Sequence, residues 1–305
     1  MPQVTAILPT YGHPELTLSA VTRLREQSAP PAEIIVVDDG AAEPFVPPPG
    51  VRLLRHDSNR GFAAAVNTGV RAAETELVAI LNNDVTLARD WMDRLTSVIS
   101  SQRVDFACGK LYRPDGLIDG TFDLICRGGL AWRAGNGRPD GPLWSAPQPI
   151  LFTSYTAVIA KRETVVLDET YHSYYEDVEW SLRAVIDHKT GYFDPSATGV
   201  HTGSATAGAW SAYSTRQLLR NHRRLAHQYL LPEYQREYQI ARTLLRAHCL
   251  NHGQWPDVPN ESIEPKSINR NRLAEILSAS ENQLRQLQTD STPDRLWRWY
   301  FRLTA

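Results

Sequence analysis

The chain is poor in sulfur: its 305 residues include three cysteines, Cys108, Cys126 and Cys249, and two methionines. The cysteines are widely spaced and form no C-x-x-C pair. That excludes a disulfide framework and a cysteine-rich zinc module, and it fits a reducing cytoplasm. Long apolar runs are also lacking, since no stretch approaches the ~18 apolar residues of a membrane span. The N-terminal MPQVTAILPTYG enters a strand pattern without a basic and apolar leader. These absences describe a soluble protein, or at most a peripheral one. Neither sign of charge dominates, and a net charge of −2 excludes a generally basic nucleic-acid binder. The charge is unevenly distributed. Residues 1–209 hold 18 Lys or Arg against 25 Asp or Glu, whereas residues 210–305 hold 14 against 9. The body is acidic and the tail basic, so the tail is either a solvated helical face or a surface for phosphate-bearing partners or an anionic membrane.

What is present is a succession of short β-rich runs and helical periods. Residues 4–8, 33–37, 52–55 and 77–81 read as strands. Residues 15–25 and the Ala-rich 59–73 carry apolar side chains at helical spacing between them. Four strands with intervening connections inside 85 residues predict a parallel, twisted α/β sheet. A helix is expected over 91–99 and a strand over 104–111. Residues 113–149, rich in Gly, Pro, Asp and Arg, read as a long loop or irregular subdomain. Beyond them a β run is expected at 150–161, a helix at 176–186 and a last short strand at 198–201. From residue 210 the pattern is helical, over 211–231, 233–251 and 268–288, ending in the unusual RLWRWYFRL at 295–303. The division predicted is a catalytic domain over 1–209 and a helical region over 210–305.

The stretch LVAILNNDV, residues 77–85, organises the rest. A buried strand ends abruptly in Asn82, Asn83 and Asp84, and in open parallel sheets ligands bind at the carboxyl ends of strands. Asp84 is therefore a candidate ligand for a divalent cation held against a phosphate, or else part of a helix cap. Asp38 and Asp39 follow the second strand in the same way. They read as a partner for a ligand or as an Asx turn before Gly40.

Six motifs stand in one order: LPTYG, VVDDG, NRGFAAAVNTG, LNND, YYEDVEWSLRA and VHTGS. Together they resemble a family 2 glycosyltransferase with the GT-A fold, especially the rhamnosyltransferase-like branch of bacterial polysaccharide enzymes. The resemblance covers residues 4–204 and leaves about the last hundred uncovered. It implies a Rossmann-like nucleotide-diphospho-sugar transferase fold with a helical C-terminal extension. Asp39 would meet the edge of a uracil or thymine, whose N3–H needs an acceptor, with Asp38 in support and Pro9 and Tyr11 walling the nucleotide. Arg60 would approach the diphosphate, or sit solvated at a helix start. The family's aspartate-any-aspartate motif stands here as Asn82, Asn83 and Asp84. Asp84 would carry the metal contact, and Asn82 would hydrogen-bond donor sugar or ribose beside Asn83. His201 resembles the second protein ligand for Mn²⁺ or Mg²⁺. Glu176 and Asp177 match the acidic pair at a helix start, with Asp177 as base, although the helix dipole alone also favours acids there. The glycine pair and Phe-Asp often found before this pair are replaced here by VVLDETYHSYYEDVEW. Trp180 is expected in the core.

The function implied is inverting, metal-dependent transfer of one sugar from a UDP- or dTDP-sugar, dTDP-rhamnose among them, to a saccharide or lipid-linked acceptor. The rivals are a nucleotidyltransferase, whose Gly-rich basic phosphate loop LPTYGHPE lacks, and a degenerate GT-A protein that only binds sugar nucleotide. No nucleic-acid partner is expected. The place expected is the cytoplasm or the inner membrane face, with the C-terminal helices meeting membrane, a second copy, or their own neighbours.

Overall fold

A computed structural model describes residues 2–203, 210–229, 231–254, 257–258, 261–291 and 294–305. Ser204, the last residue of the VHTGS motif, and Ala209, at the boundary drawn between the two regions, lie outside these.

The first half is a parallel α/β unit. It runs β1 (Val4–Thr10), α1 (Pro14–Arg25), β2 (Glu33–Asp38), β3 (Arg52–Arg55), α2 (Phe62–Ala72) and β4 (Leu77–Leu81). β1 pairs in parallel with both β2 and β4, and β2 with β3. These strands are apolar almost throughout because both faces are covered. Ile7, Ile35, Val37, Val78 and Ile80 meet Ala63, Val66 and Val70 of α2. The alternate residues Ala6, Leu8, Ile34 and Val36 share a second core with Ala20, Val21 and Leu24 of α1 and with Trp91 and Leu95. Those last two belong to α3 (Trp91–Gln102), which follows the short β5 (Val85–Leu87).

The second half continues the same sheet with mixed directions. β6 (Phe106–Tyr112), β7 (Ile118–Gly120), the hairpin β8 (Asp123–Ile125) and β9 (Ala131–Arg133), β10 (Gln148–Ile150) and β11 (Ala157–Lys161) precede α4 (Glu176–Ile186) and β12 (Gly191–His201). The sheet runs β10-β12-β6-β11-β4-β1-β2-β3, with β5 pairing β12 and β7 pairing β6. Three expectations change here. The stretch 113–149 is no bare loop: it contains β7, β8, β9 and the start of β10, three-residue strands too short to show a period. The β run at 150–161 is two strands separated by six residues. The last strand begins at Gly191 and absorbs Pro195 where its register against β6 shifts between Asp194 and Thr198.

Four helices follow: α5 (Ala212–Tyr229), α6 (Gln235–Asn251), α7 (Arg270–Asp290) and α8 (Arg295–Thr304). They pack on the body. Leu225 and Tyr229 of α5 and Leu273, Ile276 and Leu277 of α7 bury against Val178, Leu182 and Val185 of α4. Trp297 and Tyr300 of α8 are buried, and the Tyr300 hydroxyl donates to Glu281 of α7 (3.1 Å) and accepts from the Gly128 amide (3.2 Å). Among the described residues no helix is long and apolar enough to cross a membrane. The three cysteines are buried and free.

Candidate active site

The carboxyl ends of β1, β2 and β4 meet at one edge of the sheet, as a parallel arrangement requires. Asp38 and Asp39 leave β2 there, and both are buried. Asp38 accepts from the Ala41 amide (3.0 Å), the Phe45 amide (3.1 Å) and the Arg55 guanidinium. It thereby folds the 41–45 loop back over the strand end. Asp39 accepts from the Arg60 amide (2.9 Å), the Gly61 amide (2.8 Å) and His56 Nδ1 (2.7 Å). These three donors fix the turn that starts α2 and leave Asp39 Oδ2 with a single bond among the described residues, from the Gly61 amide.

Two glycines make that turn possible. Gly40 and Gly61 have φ of +75° and +89°, and a Cβ at Gly40 would lie 2.4 Å from the Ser58 backbone, one at Gly61 2.5 Å from His172. The glycines of VDDG and NRGF are thus required by close approach of three loops. Tyr11 is 45% exposed just beyond β1, whereas Pro9 lies buried inside it. The Arg60 side chain points outward to Glu169 (3.0 Å). Asn83, expected on the donor side, is buried, and its Nδ2 donates to Thr10 (3.2 Å) and Thr17 (3.1 Å). Asn82 is half-buried, and its amide donates to the Thr156 carbonyl (2.9 Å).

Asp84 and His201 come together from opposite ends of the sequence because β5 pairs with β12, setting Val85 opposite His201. His201 Nε2 is ion-paired with Asp84 Oδ1 at 3.2 Å, and no other group among the described residues bonds that buried oxygen. A buried carboxylate facing an imidazole nitrogen is a pair that one divalent cation could join in place of the proton between them. One carboxylate and one imidazole are donors that Mn²⁺ or Mg²⁺ could accept, and no group of three or more possible ligands occurs among the described residues. The other ring nitrogen, Nδ1, is 2.9 Å from Asp119 Oδ2. Burial alone would lower the His201 pKa, but the Asp119 and Asp84 carboxylates override it and push it up to about 9.

Asp119 is also held by Arg133 (3.0 Å), whose other nitrogen donates to Ser154 (2.8 Å) and Thr156 (3.0 Å). Between those two residues the Tyr155 amide donates to Asp177 (3.4 Å). Residues 154–156 therefore join the Asp84–His201 pair to the acid at the start of α4. Burial raises the Asp177 pKa against the opposing pull of Arg133. The Glu176 pKa is also raised, by burial and then by Asp177, and its Oε2 has no partner among the described residues. Asp123 is pushed up to about 7 by burial and by Asp177. The segment leading to this pair is strained: His172, Tyr174 and Tyr175 all have positive φ, at 63°, 69° and 71°. It is clamped by Asn221 of α5, which donates to the carbonyls of Tyr171 (2.8 Å), Ser173 (2.8 Å) and Tyr174 (2.6 Å). Trp180 lies fully in the core, as expected.

Residues 5–138, which contain Asp39, Asp84, Asp119 and Arg133, match the family model described as glycosyl transferase family 2. That stretch is similar to glycosyl transferase family 2 and makes up less than half of the chain. Among curated proteins, the chain is 28% identical over 220 residues to the pre-mycofactocin glycosyltransferase of Mycobacterium tuberculosis, covering 68% of this chain and 44% of that one. It is 32% identical over 101 residues to the succinoglycan biosynthesis protein ExoO of Rhizobium meliloti, covering 31% and 29%. The chain thus spans less than half the length of these relatives. Solved structures show the GT-A fold. GalNAc-T7 with UDP, GalNAc and Mn²⁺ superposes with a TM-score of 0.63 at 14% identity, over 99% of this chain and 56% of that one. The mannosyltransferase PcManGT of Pyrobaculum calidifontis, in complex with GDP-Man and Mn²⁺, does so with 0.54 at 16%, over 99% and 84%.

The six family motifs supply Asp84, His201 and Asp177, but they do not reach Asp119, Asp123, Arg133 or Asn221. Asp119 and Asp123 stand four residues apart in IDGTFD, within β7 and at the start of β8.

Proposed function

We propose that this chain, whose residues 5–138 match the glycosyl transferase family 2 model, is an inverting, metal-dependent glycosyltransferase. It moves one sugar from a UDP- or dTDP-sugar to a saccharide or lipid-linked acceptor, with dTDP-rhamnose the donor to test first. The observation that carries the proposal is the buried Asp84–His201 pair at the strand ends, Oδ1 to Nε2 at 3.2 Å with no other group bonding that oxygen among the described residues, one short segment away from an acid whose burial raises its pKa. A cation held by Asp84 and His201 supplies Lewis-acid neutralisation of the departing nucleoside diphosphate. Tyr11 and the turn held by Asp39 shape the nucleotide end, and Arg60 lies where it can swing from Glu169 toward the diphosphate. Asp177, oriented by the Tyr155 amide, takes the proton from the acceptor hydroxyl. That oxygen attacks the anomeric carbon from the face opposite the diphosphate, which inverts the configuration. Glu176, buried beside Asp177 at the start of α4, is the second acid of the pair.

The outward face of α8 gives this enzyme a place to work. Its inner residues Trp297 and Tyr300 are buried, whereas Arg295, Trp299, Arg302 and Leu303 are exposed and no acid occurs between residues 295 and 305. We assign this face to the anionic surface of the cytoplasmic membrane leaflet, where a lipid-linked acceptor resides.

A panel of nucleotide sugars with Mn²⁺, with and without EDTA, tests the reading. Release of UDP or dTDP that EDTA abolishes, and that Asp84→Ala and His201→Ala each reduce at least about 100-fold in folded protein, is expected. Full activity in EDTA would remove the metal from the mechanism. Binding without turnover across the panel would leave a sugar-nucleotide binding module, and pyrophosphate formed from a nucleoside triphosphate and a sugar phosphate would identify a nucleotidyltransferase.

A further inference from the structure

Asp84 and His201 both come from motifs, but what holds the His201 ring comes from the irregular stretch between them. The Asp119 Oδ2 at 2.9 Å from His201 Nδ1 fixes which ring nitrogen carries hydrogen, leaving the Nε2 lone pair toward Asp84 whenever a cation replaces the proton there. Asp119 Oδ2 also accepts from Arg133 Nη1 (3.0 Å). Arg133 is tied in turn to Ser154 and Thr156. A carboxylate behind a metal-binding imidazole raises the basicity of the ligand and locks its rotation.

We infer that Asp119 and Arg133 are positioning residues for the cation site: Asp119 orients and strengthens His201 as a ligand, and Arg133 holds Asp119 in place from the segment that also carries the Tyr155 amide to Asp177. This rests on the reading that Asp84 and His201 bind one cation. It goes beyond that reading by assigning the ligand strength of the site to two residues that touch neither cation nor sugar. It also makes Arg133 the mechanical link between the cation side and the base side of the cleft. Both residues sit on β7 and β9, strands of three residues whose place depends on Thr121 and Ala134 bonding across the hairpin.

The test is Mn²⁺ affinity, read by titrating Mn²⁺ against the full chain with and without UDP and following the free ion by its paramagnetic resonance. Asp119→Ala should weaken Mn²⁺ binding about 10- to 100-fold. Asp119→Asn, which keeps an acceptor on Nδ1 but loses the charge, should weaken it less, and both should keep wild-type affinity for UDP in metal-free buffer. Arg133→Gln should fall between wild type and Asp119→Ala. Because Asp119→Ala can fail to fold, Asp119→Asn carries the decision in that case. Folded Asp119→Ala with wild-type Mn²⁺ affinity, or an unfolded Asp119→Ala beside an Asp119→Asn that binds as wild type, would overturn the relay while leaving the metal site standing. Wild-type protein that binds no Mn²⁺ under either condition would overturn both. The controls Asp84→Ala and His201→Ala should lose Mn²⁺ almost entirely, which distinguishes the ligands from the residues behind them.

Discussion

Replacing Asp177 by Asn keeps the shape of the side chain and its bond to the Tyr155 amide while removing the proton acceptor. Asp177→Asn should reduce the transfer rate at least about 1,000-fold and leave nucleotide affinity within about twofold, measured by single-turnover kinetics and calorimetry. The pH profile carries a second expectation. Because burial raises the Asp177 pKa, the carboxylate that accepts the proton accumulates only above the ordinary aspartate range, so kcat/KM should rise with pH along an acid limb displaced upward from 3.8. A limb at the ordinary value, or equal loss of binding and rate in Asp177→Asn, would assign the acid a structural role. At this scale the sequence was informative where chemistry clusters in motifs. Asp84, His201 and Asp177 could be named because each ends or begins an element whose period is visible. Asp39 could be named but not oriented, since nothing in VVDDG reveals that the Arg60 and Gly61 amides and His56 converge on it from 17 to 22 residues away. Arg133 and Asp119 could not be named, because their strands are three residues long and their meaning arises only when β7 pairs β6 and β12 runs alongside.

The element that places Asp177, the proposed base, is α4, and it follows a strained approach. Three residues of positive φ precede it, each costing about 1–3 kcal/mol unless the surroundings over-determine them, and the Asn221 amide group from α5 does so by donating to three carbonyls of that approach. Asn221→Ala leaves these buried carbonyls without a donor, at about 1–3 kcal/mol. The expected outcome is a fall in melting temperature of about 2–8 °C, together with a loss in kcat larger than any change in nucleotide affinity, because the loosened segment carries Glu176 and Asp177 but not the donor loops. A lower melting temperature with kcat unchanged would show that the clamp stabilises without positioning. The helical period of α4 and α5 was legible from their Leu and Val spacing, and the parallel β1 to β4 unit from its buried runs. The strain was not, because HSYY contains no glycine, the residue by which a positive φ is ordinarily recognised.

Across the whole molecule the charge divides between an acidic body and a basic tail, −7 over residues 1–209 and +5 over 210–305. Packing of α8 decides how the tail can be tested. Trp297 and Tyr300 are buried against α6 and α7, so deleting the segment would open the core and lose stability whatever the outer face does. The outer face can be changed alone. Arg302 stacks over the exposed Trp299 at 5.4 Å, and Arg295 and Leu303 lie exposed on the same helix, which combines cationic heads with one ring and one aliphatic side chain at the level of a headgroup layer. Each arginine near an anionic surface contributes about 1 kcal/mol, and reversing two of them removes that attraction and adds repulsion. The triple variant Arg295→Glu, Arg302→Glu, Trp299→Ser should therefore keep the wild-type melting temperature and its turnover of soluble acceptors. Its co-sedimentation with phosphatidylserine-containing vesicles should fall at least about tenfold, and wild-type binding should itself weaken as salt rises from 0.1 to 0.5 M. Vesicle binding equal in variant and wild type, or none in the wild type, would remove the membrane from the proposal, and a shift of wild type from dimer to monomer in the variant would give the same face to a second copy of the chain.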